Sequence, residues 1–246
     1  MTFDSTTTIR DIATTLPAST RIFEKLKIDY CCGGDKPLSE ACKTADIDID
    51  KLTAMLNDIS KADASNETLD FQNSTASELI DYILEKHHAY TKEEMARLEL
   101  LVDKVVSVHG KNHSELLGLR DLMNRLFADL KQHLFKEEQI LFPYIVATEK
   151  SLLEKGPAPF APFGKVANPI SMMLTEHDTA GELLREMRKV SSGYQVPSDA
   201  CISYKTMYEA FEALEADLHQ HIHLENNLLF LKAAALEDAL RGVVAP

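Results

Sequence analysis

The stretch HLFKEEQILFP (133–143) decides how this chain folds, because HIHLENNLLF (221–230) repeats its plan. His133, Glu137, Leu141 and Phe142 match His221, Glu225, Leu229 and Phe230. The likeness extends backward: Asp129-Leu130-x-Gln132-His133 aligns with Asp217-Leu218-x-Gln220-His221. In a helix, residues i and i+4 lie one turn apart on the same face. The face through His133 carries Leu126, Leu130, Glu137, Ile140 and Leu141, and the face through His221 carries Leu214, Leu218, Glu225, Leu228 and Leu229. Both His–Glu pairs are therefore predicted to point into an apolar interior. An unpaired carboxylate there costs several kcal/mol. A metal ion would offset that charge, and the core of a helix bundle is a common place for one.

Each copy has a histidine upstream. His88 (EKHHAY) precedes His133 by 45 residues, and His177 (TEHDTA) precedes His221 by 44. The sum is four imidazoles and two carboxylates about a pseudo-twofold axis. That exceeds what one tetrahedral zinc takes. It suits two metal ions bridged by Glu137 and Glu225, with an exogenous oxo or hydroxo bridge completing the site. Mixed imidazole and carboxylate donors favour iron or manganese, with zinc also compatible. One His-x3-Glu on a helix is usually an ordinary side-chain pair; two copies with matched flanks and matched upstream histidines are not. The ferritin-type pattern needs Glu-x-x-His on two helices, and only Glu85-x-x-His88 fits it here.

Of the neighbours His87 and His88, the pattern turns one inward. His88 shares a seam with Leu84, Met95, Leu98, Val102 and Val105, whereas the seam of His87 meets Glu94, Arg97 and Lys104. Upstream, Ile80 and Ile83 lie nearer the His87 face. His88 is preferred, with His87 as the alternative. Asp129 and Asp217, and more weakly Glu176, are candidates to orient the ligands from behind. His109 lies roughly 31 Å along the helix from His88, out of reach of that site. His113, His219 and His223 are expected in solvent.

Around these segments the apolar spacing predicts long helices over about 76–108, 113–149 (kinked near Pro143), 170–191 and 199–237, with almost nothing that reads as strand. Thr75-x-x-Glu78 forms a capping box at the first. The fold class is all-α, a four-helix bundle over 76–246. Residues 1–62 form a small helical domain: two short helices within 6–28, the turn CCGGDKP (31–37) and a helix over 38–60. Residues 63–75, polar and rich in small side chains, are read as a linker. The proline-rich connection 155–169 is irregular; a place at the site entrance or against a partner is left open.

The chain has 246 residues, 45% hydrophobic, enough for one sizeable core and a small satellite. Its formal net charge of −13, with no basic cluster, excludes nucleic acid and anionic membrane as natural partners. The N-terminal segment has an early acid and no apolar run, so no secretory signal is expected. No segment is apolar for long enough to span a membrane. A cytoplasmic protein with reduced cysteines is expected. Cys31 and Cys32 are neighbours on a glycine turn. A disulfide between them would be strained, so they are poor staples. Two such thiols could bind metal, exchange disulfides or carry electrons, or could simply fill space at a helix end. Cys42 and Cys201 are expected to be core fillers.

With these residues in hand, the chain resembles the repair-of-iron-centres family, the YtfE/ScdA/DnrN proteins, over nearly its whole length. DYCCGG (29–34) is similar to the signature of the family's ScdA-type N-terminal domain, and KEEQILFP (136–143), EHDTAGELL (176–184) and LENNLLF (224–230) to its hemerythrin-like domain. The resemblance implies a hemerythrin-like bundle holding two iron ions on His88, His133, Glu137, His177, His221 and Glu225, with the family's cysteine pair on Cys31 and Cys32. It further implies repair of iron–sulfur clusters damaged by nitric oxide or peroxide, as an iron donor. The alternatives are a nitric oxide reductase at the iron pair, with the cysteines relaying electrons, and a carrier or sensor of dioxygen or nitric oxide. The expected partners are damaged iron–sulfur proteins, an electron donor of unknown identity, and a second copy of the chain in a homodimer. Two departures stand out: the insert near 155–169 is longer than usual, and LFLK (229–232) stands where the family often has LFP.

Overall fold

The structure is a computed structural model that describes residues 3–63 and 71–244. Most of the expected linker, residues 64–70, lies outside the described residues. The described residues are helical, with a single isolated bridge between Thr8 and Pro37 and no strand.

Four rods make the bundle. The first joins α5 (Ala76–Tyr82) to α6 (Ala89–His109) through a π-helical turn, Ile83–His88. The second joins α7 (Glu115–Lys136) to α8 (Phe142–Glu154) through a π turn, Glu137–Leu141. The third is α9 (Ala167–Val190) alone, and the fourth joins α10 (Ile202–Leu224) to α11 (Phe230–Val244) through a π turn, Glu225–Leu229. The π turn at 137–141, and not Pro143, is what interrupts the second helix. It also leaves Ile140 exposed, against the regular spacing that placed it inside. α7 packs along α9, and α10 along α6. The capping box is present: Glu78 N–H donates to Thr75 Oγ1 at 3.1 Å, and Thr75 N–H to the Glu78 carboxylate at 2.8 Å. Glu149 of α8 accepts from the N–H groups of Ala76 and Ser77, which pins the start of α5 to α8.

Two apolar clusters fill the bundle, one around Met95, Leu119, Leu126, Phe127, Met207 and Phe211, the other around Ile80, Ile83, Phe142, Met173, Leu229 and Phe230. On every rod the predicted metal-ligating residues fall between the two. The insert packs at the far end of the second cluster. There the Val166 N–H donates to Glu237, and Phe163 meets Tyr144 edge-on.

The N-terminal part has its own apolar cluster, drawn from Ile9, Ile12, Phe23, Tyr30, Leu38, Cys42, Leu52 and Leu56. Its helices are α1 (Ile9–Thr15), α2 (Thr20–Leu26), α3 (Leu38–Thr44) and α4 (Ile49–Asp63). The helix predicted over 38–60 is thus two. Asp46 takes a left-handed conformation, φ 53°, and the Asp48 carboxylate accepts from the N–H groups of Asp50 and Lys51 to start α4. Asx capping outweighed a continuous apolar spacing there.

Leu126 is fully buried and Leu100 is exposed. Leu126→Ala should cost about 2–5 kcal/mol of stability by loss of burial plus a cavity, and Leu100→Ala no more than about 0.5 kcal/mol. Urea unfolding of both variants checks the contrast.

Candidate metal centre

Between the two apolar clusters stands a layer of buried polar side chains. His88 comes from the π turn of the first rod, His133 from the last turn of α7, His177 from the middle of α9 and His221 from the last turn of α10. Glu137 and Glu225 each open a π turn and are 0% exposed.

The six side chains form two overlapping groups whose ligand atoms lie within 4.8 Å of one another: His88, Glu137, His221 and Glu225, and His133, Glu137, His177 and Glu225. The two carboxylates belong to both. One oxygen of Glu137 lies 3.3 Å from His133 Nε2, and the other 3.5 Å from His88 Nε2. Glu225 likewise sets one oxygen 2.9 Å from His221 Nε2 and the other 3.2 Å from His177 Nε2. Each carboxylate thus divides its oxygens between the groups, as a bridge would.

The donor set fits metal ions. His88 Nε2 faces His221 Nε2 at 3.1 Å, and His177 Nε2 faces His133 Nε2 at 3.0 Å. Two nitrogens each about 2.1 Å from one ion, at roughly a right angle, stand about 3 Å apart. Both oxygens of Glu137 and one of Glu225 are buried without a hydrogen bond, which is costly unless a cation serves them. The opposite edges of three of the four rings are held, while His221 Nδ1 is buried without a hydrogen bond. His88 Nδ1 pairs with Glu138 at 2.8 Å, His133 Nδ1 with Glu176 at 2.8 Å, and His177 Nδ1 with Asn226 Oδ1 at 2.7 Å. Such partners aim the Nε2 lone pair inward and raise its basicity.

His87, the alternative to His88, is in neither group. It is buried as well: its Nδ1 pairs with Asp217 at 3.0 Å and its ring stacks 5.7 Å from that of His221. The π turn makes room for both neighbours, which regular helical spacing does not. Asp217 therefore supports the layer through His87. Asp129, its counterpart in the repeat, is exposed. Glu176 contacts a predicted ligand directly, and Glu138 and Asn226 were not singled out by the sequence. Each of these two directly follows a predicted bridging glutamate, a regularity visible in E-E and E-N once its meaning is known.

Other expectations need correction. His223 is buried, its Nδ1 taking the Asn227 amide at 2.8 Å. Burial holds its pKa down at about 4. His219 pairs with Glu24 of the N-terminal part at 2.8 Å. Cys42 is a core filler, but Cys201 is exposed. At the start of α10 the backbone N–H of Tyr204 and the His109 side chain lower its pKa to about 7.

Cys31 and Cys32 are free thiols, Sγ to Sγ 3.9 Å, on a turn built by Asp29, whose carboxylate accepts from the N–H groups of Cys31, Cys32 and Gly33. Contact with Cys32 and burial push the Cys31 thiol well up. Cys32 Sγ lies 3.9 Å from where a Cβ on Gly181 would stand, one turn from His177 on α9. The turn is hooked to the fourth rod by Asn227, whose amide donates to the Tyr30 carbonyl at 3.3 Å.

The chain matches the Hemerythrin HHE cation binding domain over residues 79–233 and the ScdA_N domain, a domain of unknown function, over residues 5–60. It is 34% identical to the iron-sulfur cluster repair protein YtfE of Escherichia coli O81 over 227 residues, 92% of this chain and 96% of that one. It belongs to the YtfE/ScdA family of hemerythrin-like proteins. Other relatives of the family are the iron-sulfur cluster repair protein ScdA of Staphylococcus haemolyticus, 33% identical over 91% of this chain and 96% of its own length, and a probable iron-sulfur cluster repair protein of Haemophilus influenzae, 32% identical over 90% and 94%. Among the described residues of this YtfE/ScdA-family chain, no helix is long and apolar enough to cross a membrane.

Burial alone would lower the pKa of His133, but Glu137, Glu176 and Glu225 overcome it and raise it to about 10. Burial likewise opposes, and Glu225 and Glu137 outweigh it to raise, that of His221. The metal-free layer thus holds protons that a metal must displace. Binding of Fe(II), Mn(II) or Co(II) near pH 7 should release protons. Metal affinity should rise as pH climbs toward 10 and fall as it drops. An indicator dye in weak buffer reads the release, and uptake without proton release at pH 7 would count against His133 and His221 as ligands.

Proposed function

We propose that this protein binds two iron ions on His88, His133, Glu137, His177, His221 and Glu225, with Glu137 and Glu225 bridging them, and gives iron to damaged iron–sulfur proteins. The observation that carries the reading is the division of both carboxylates between two ligand groups. Iron–sulfur cluster repair is the printed name of the relatives, and iron on its way to a client is cargo. The absence of thiolate from both groups favours that role. Imidazole and carboxylate hold iron less firmly than soft sulfur ligands hold their preferred metals, and six protein ligands leave two ions short of full coordination. The pair, when bound, would supply Lewis-acid and redox chemistry. The protein's own groups position the imidazoles through Glu138, Glu176 and Asn226, and seat the layer between two apolar clusters.

A second reading, reduction of nitric oxide at the same pair, is favoured by a cavity of about 20 Å³ lined by His133, His177, His221, Asp129 and Glu176. It has room for one small molecule beside the ligands.

Glu137→Ala and Glu225→Ala should each lose iron, because a bridge is missing and the remaining charge is uncompensated. Full iron content in both variants would defeat the bridging assignment. The donor reading is tested by anaerobic mixing of the iron-loaded protein with an apo iron–sulfur client. Iron should leave the reduced protein faster than the oxidised one and appear in the client. Retention of iron during many turnovers of nitric oxide would favour the reductase.

The cysteines enter this proposal as chemical groups, since their turn lies one helical turn from His177. Cys31→Ser/Cys32→Ser should keep its fold and iron and lose repair of a damaged client. Loss of fold or iron would instead assign the pair to packing.

A further inference from the structure

A cavity of about 270 Å³ opens between the N-terminal part and the bundle, beside the cysteine turn. Lys27, Asp29, Cys31, Arg185, Arg188 and His219 are among its lining residues. Its acids are already engaged. Glu215 accepts two hydrogen bonds from Arg188 at 2.9 Å each, Glu24 accepts from Tyr30 and pairs with His219, and Asp29 caps the N–H groups of the turn. Among the described residues, the side chains of Lys27 and Arg185 make no hydrogen bond or ion pair, and both residues are exposed. Arg185 bends back along α9, so that its Nη1 lies 3.4 Å from the point where a Cβ on Gly181 would stand, and Cys32 Sγ lies 3.9 Å from that same point. The unpaired guanidinium and the sulfur therefore share one small patch. Lys27 and Arg185, neither side chain paired with an acid, thus line the same cavity as Cys31, in a chain whose net charge is −13.

We propose that this cavity binds an anionic low-molecular-weight thiol, which exchanges with the Cys31–Cys32 pair. The volume, just below the ordinary range for ligand pockets, suits a small molecule. Lys27 and Arg185 seat its carboxylates and bring its sulfur to the cysteines. When Cys31 and Cys32 are oxidised to a disulfide, the ligand thiolate attacks one of its sulfurs. That S–S bond breaks, the other cysteine leaves as a thiolate, and a mixed disulfide forms. A second ligand thiol attacks the mixed disulfide and leaves as the ligand disulfide. Two ligand thiols have then supplied the two electrons and two protons that restore both cysteines. A strained disulfide between neighbours is readily reduced in this way. The proposal rests on the reading of the pair as chemical groups and names the class of their electron donor.

Exchange is reversible, so it can be read in the oxidising direction with symmetrical disulfides that differ in charge. The iron-loaded full chain carrying Cys201→Ser, which removes the exposed thiol, is mixed with glutathione disulfide (anionic), hydroxyethyl disulfide (neutral) or cystamine (cationic). Loss of the Cys31 and Cys32 thiols is followed by mass spectrometry. Glutathione disulfide should react fastest and cystamine slowest, with a spread of roughly five- to tenfold, as two exposed ion pairs give. Added salt should erode it. Lys27→Gln/Arg185→Gln should abolish the preference with iron content and melting unchanged; if the double variant does not fold, each single variant should reduce the preference. Cystamine reacting fastest in the parent, no reaction with any of the three, or an unchanged order in the folded variants would overturn the proposal. Loss of the charge preference while Cys31→Ser/Cys32→Ser still abolishes repair would remove the thiol site and leave the repair reading standing. The preference in a protein that transfers no iron would do the reverse.

Discussion

Two carboxylates with no exposure, Glu137 and Glu225, stand between two apolar clusters, and their desolvation sets the terms for everything around them. Without metal, imidazolium from His133 and His221 answers the charge, as the raised pKa values of both show. Burial alone would push Glu225 up; His221, His177 and His88 instead hold it well below the ordinary carboxylate range. The compensation continues outward: Glu176 carries His133 and is met by Lys136, and Glu138 carries His88 and is met by Lys92. The buried layer is thus connected to surface lysines through alternating charges. Both of these outer carboxylates are stabilised as anions: against desolvation, Lys92 and His88 lower the pKa of Glu138, and the His133 contact and then Lys136 outweigh desolvation to bring Glu176 to about 2.

The same layer dictates the departures from regular helix. In a regular α-helix of 3.6 residues per turn, Phe142 stands about 140° around the axis from Glu137, and a local change of phase narrows that arc. The π turns beginning at Glu137 and Glu225 supply it, and all six side chains named in the repeat of Glu, Leu and Phe are buried. In the first rod the π turn ends at His87 and His88 and buries both. Only α9 runs through the layer unbroken, and it contributes a single predicted ligand, His177. Such insertions recur at functional sites, and here each lies at the level of the buried charge.

The bundle and the six-residue cluster were legible because buried charge is rare enough that its repetition carries meaning. His88 through Glu225 are paired by spacing alone. The supporting partners were less legible because their contacts cross between helices: Glu138 reaches His88 across 50 residues, and Asn226 reaches His177 across 49. Pseudo-symmetry also misleads where the halves diverge. The residue before His177 is Glu176, which carries His133; the residue before His88 is His87, which stacks on His221 and turns to Asp217. Aspartates that look equivalent in sequence, Asp129 and Asp217, consequently have different surroundings. The break between α3 and α4 was missed because capping by Asp48 is decided over three residues, below the length at which apolar periodicity registers.

The N-terminal part is tied to the layer by more than proximity. Glu225 and Asn227 share one π turn, and Asn227 donates to the carbonyl of Tyr30, the residue before Cys31. Tyr30 is buried, its hydroxyl donates to Glu24, and Glu24 also meets His219, two residues before the predicted ligand His221. The dithiol turn therefore rests on the fourth rod at two points that bracket the segment bearing His221 and Glu225. Moving the turn away from the fourth rod would break the Asn227–Tyr30 and His219–Glu24 contacts, and lost hydrogen bonds at buried groups are costly. Two units with separate apolar clusters are thereby held in one register, with Cys32 Sγ against Gly181, one helical turn from His177.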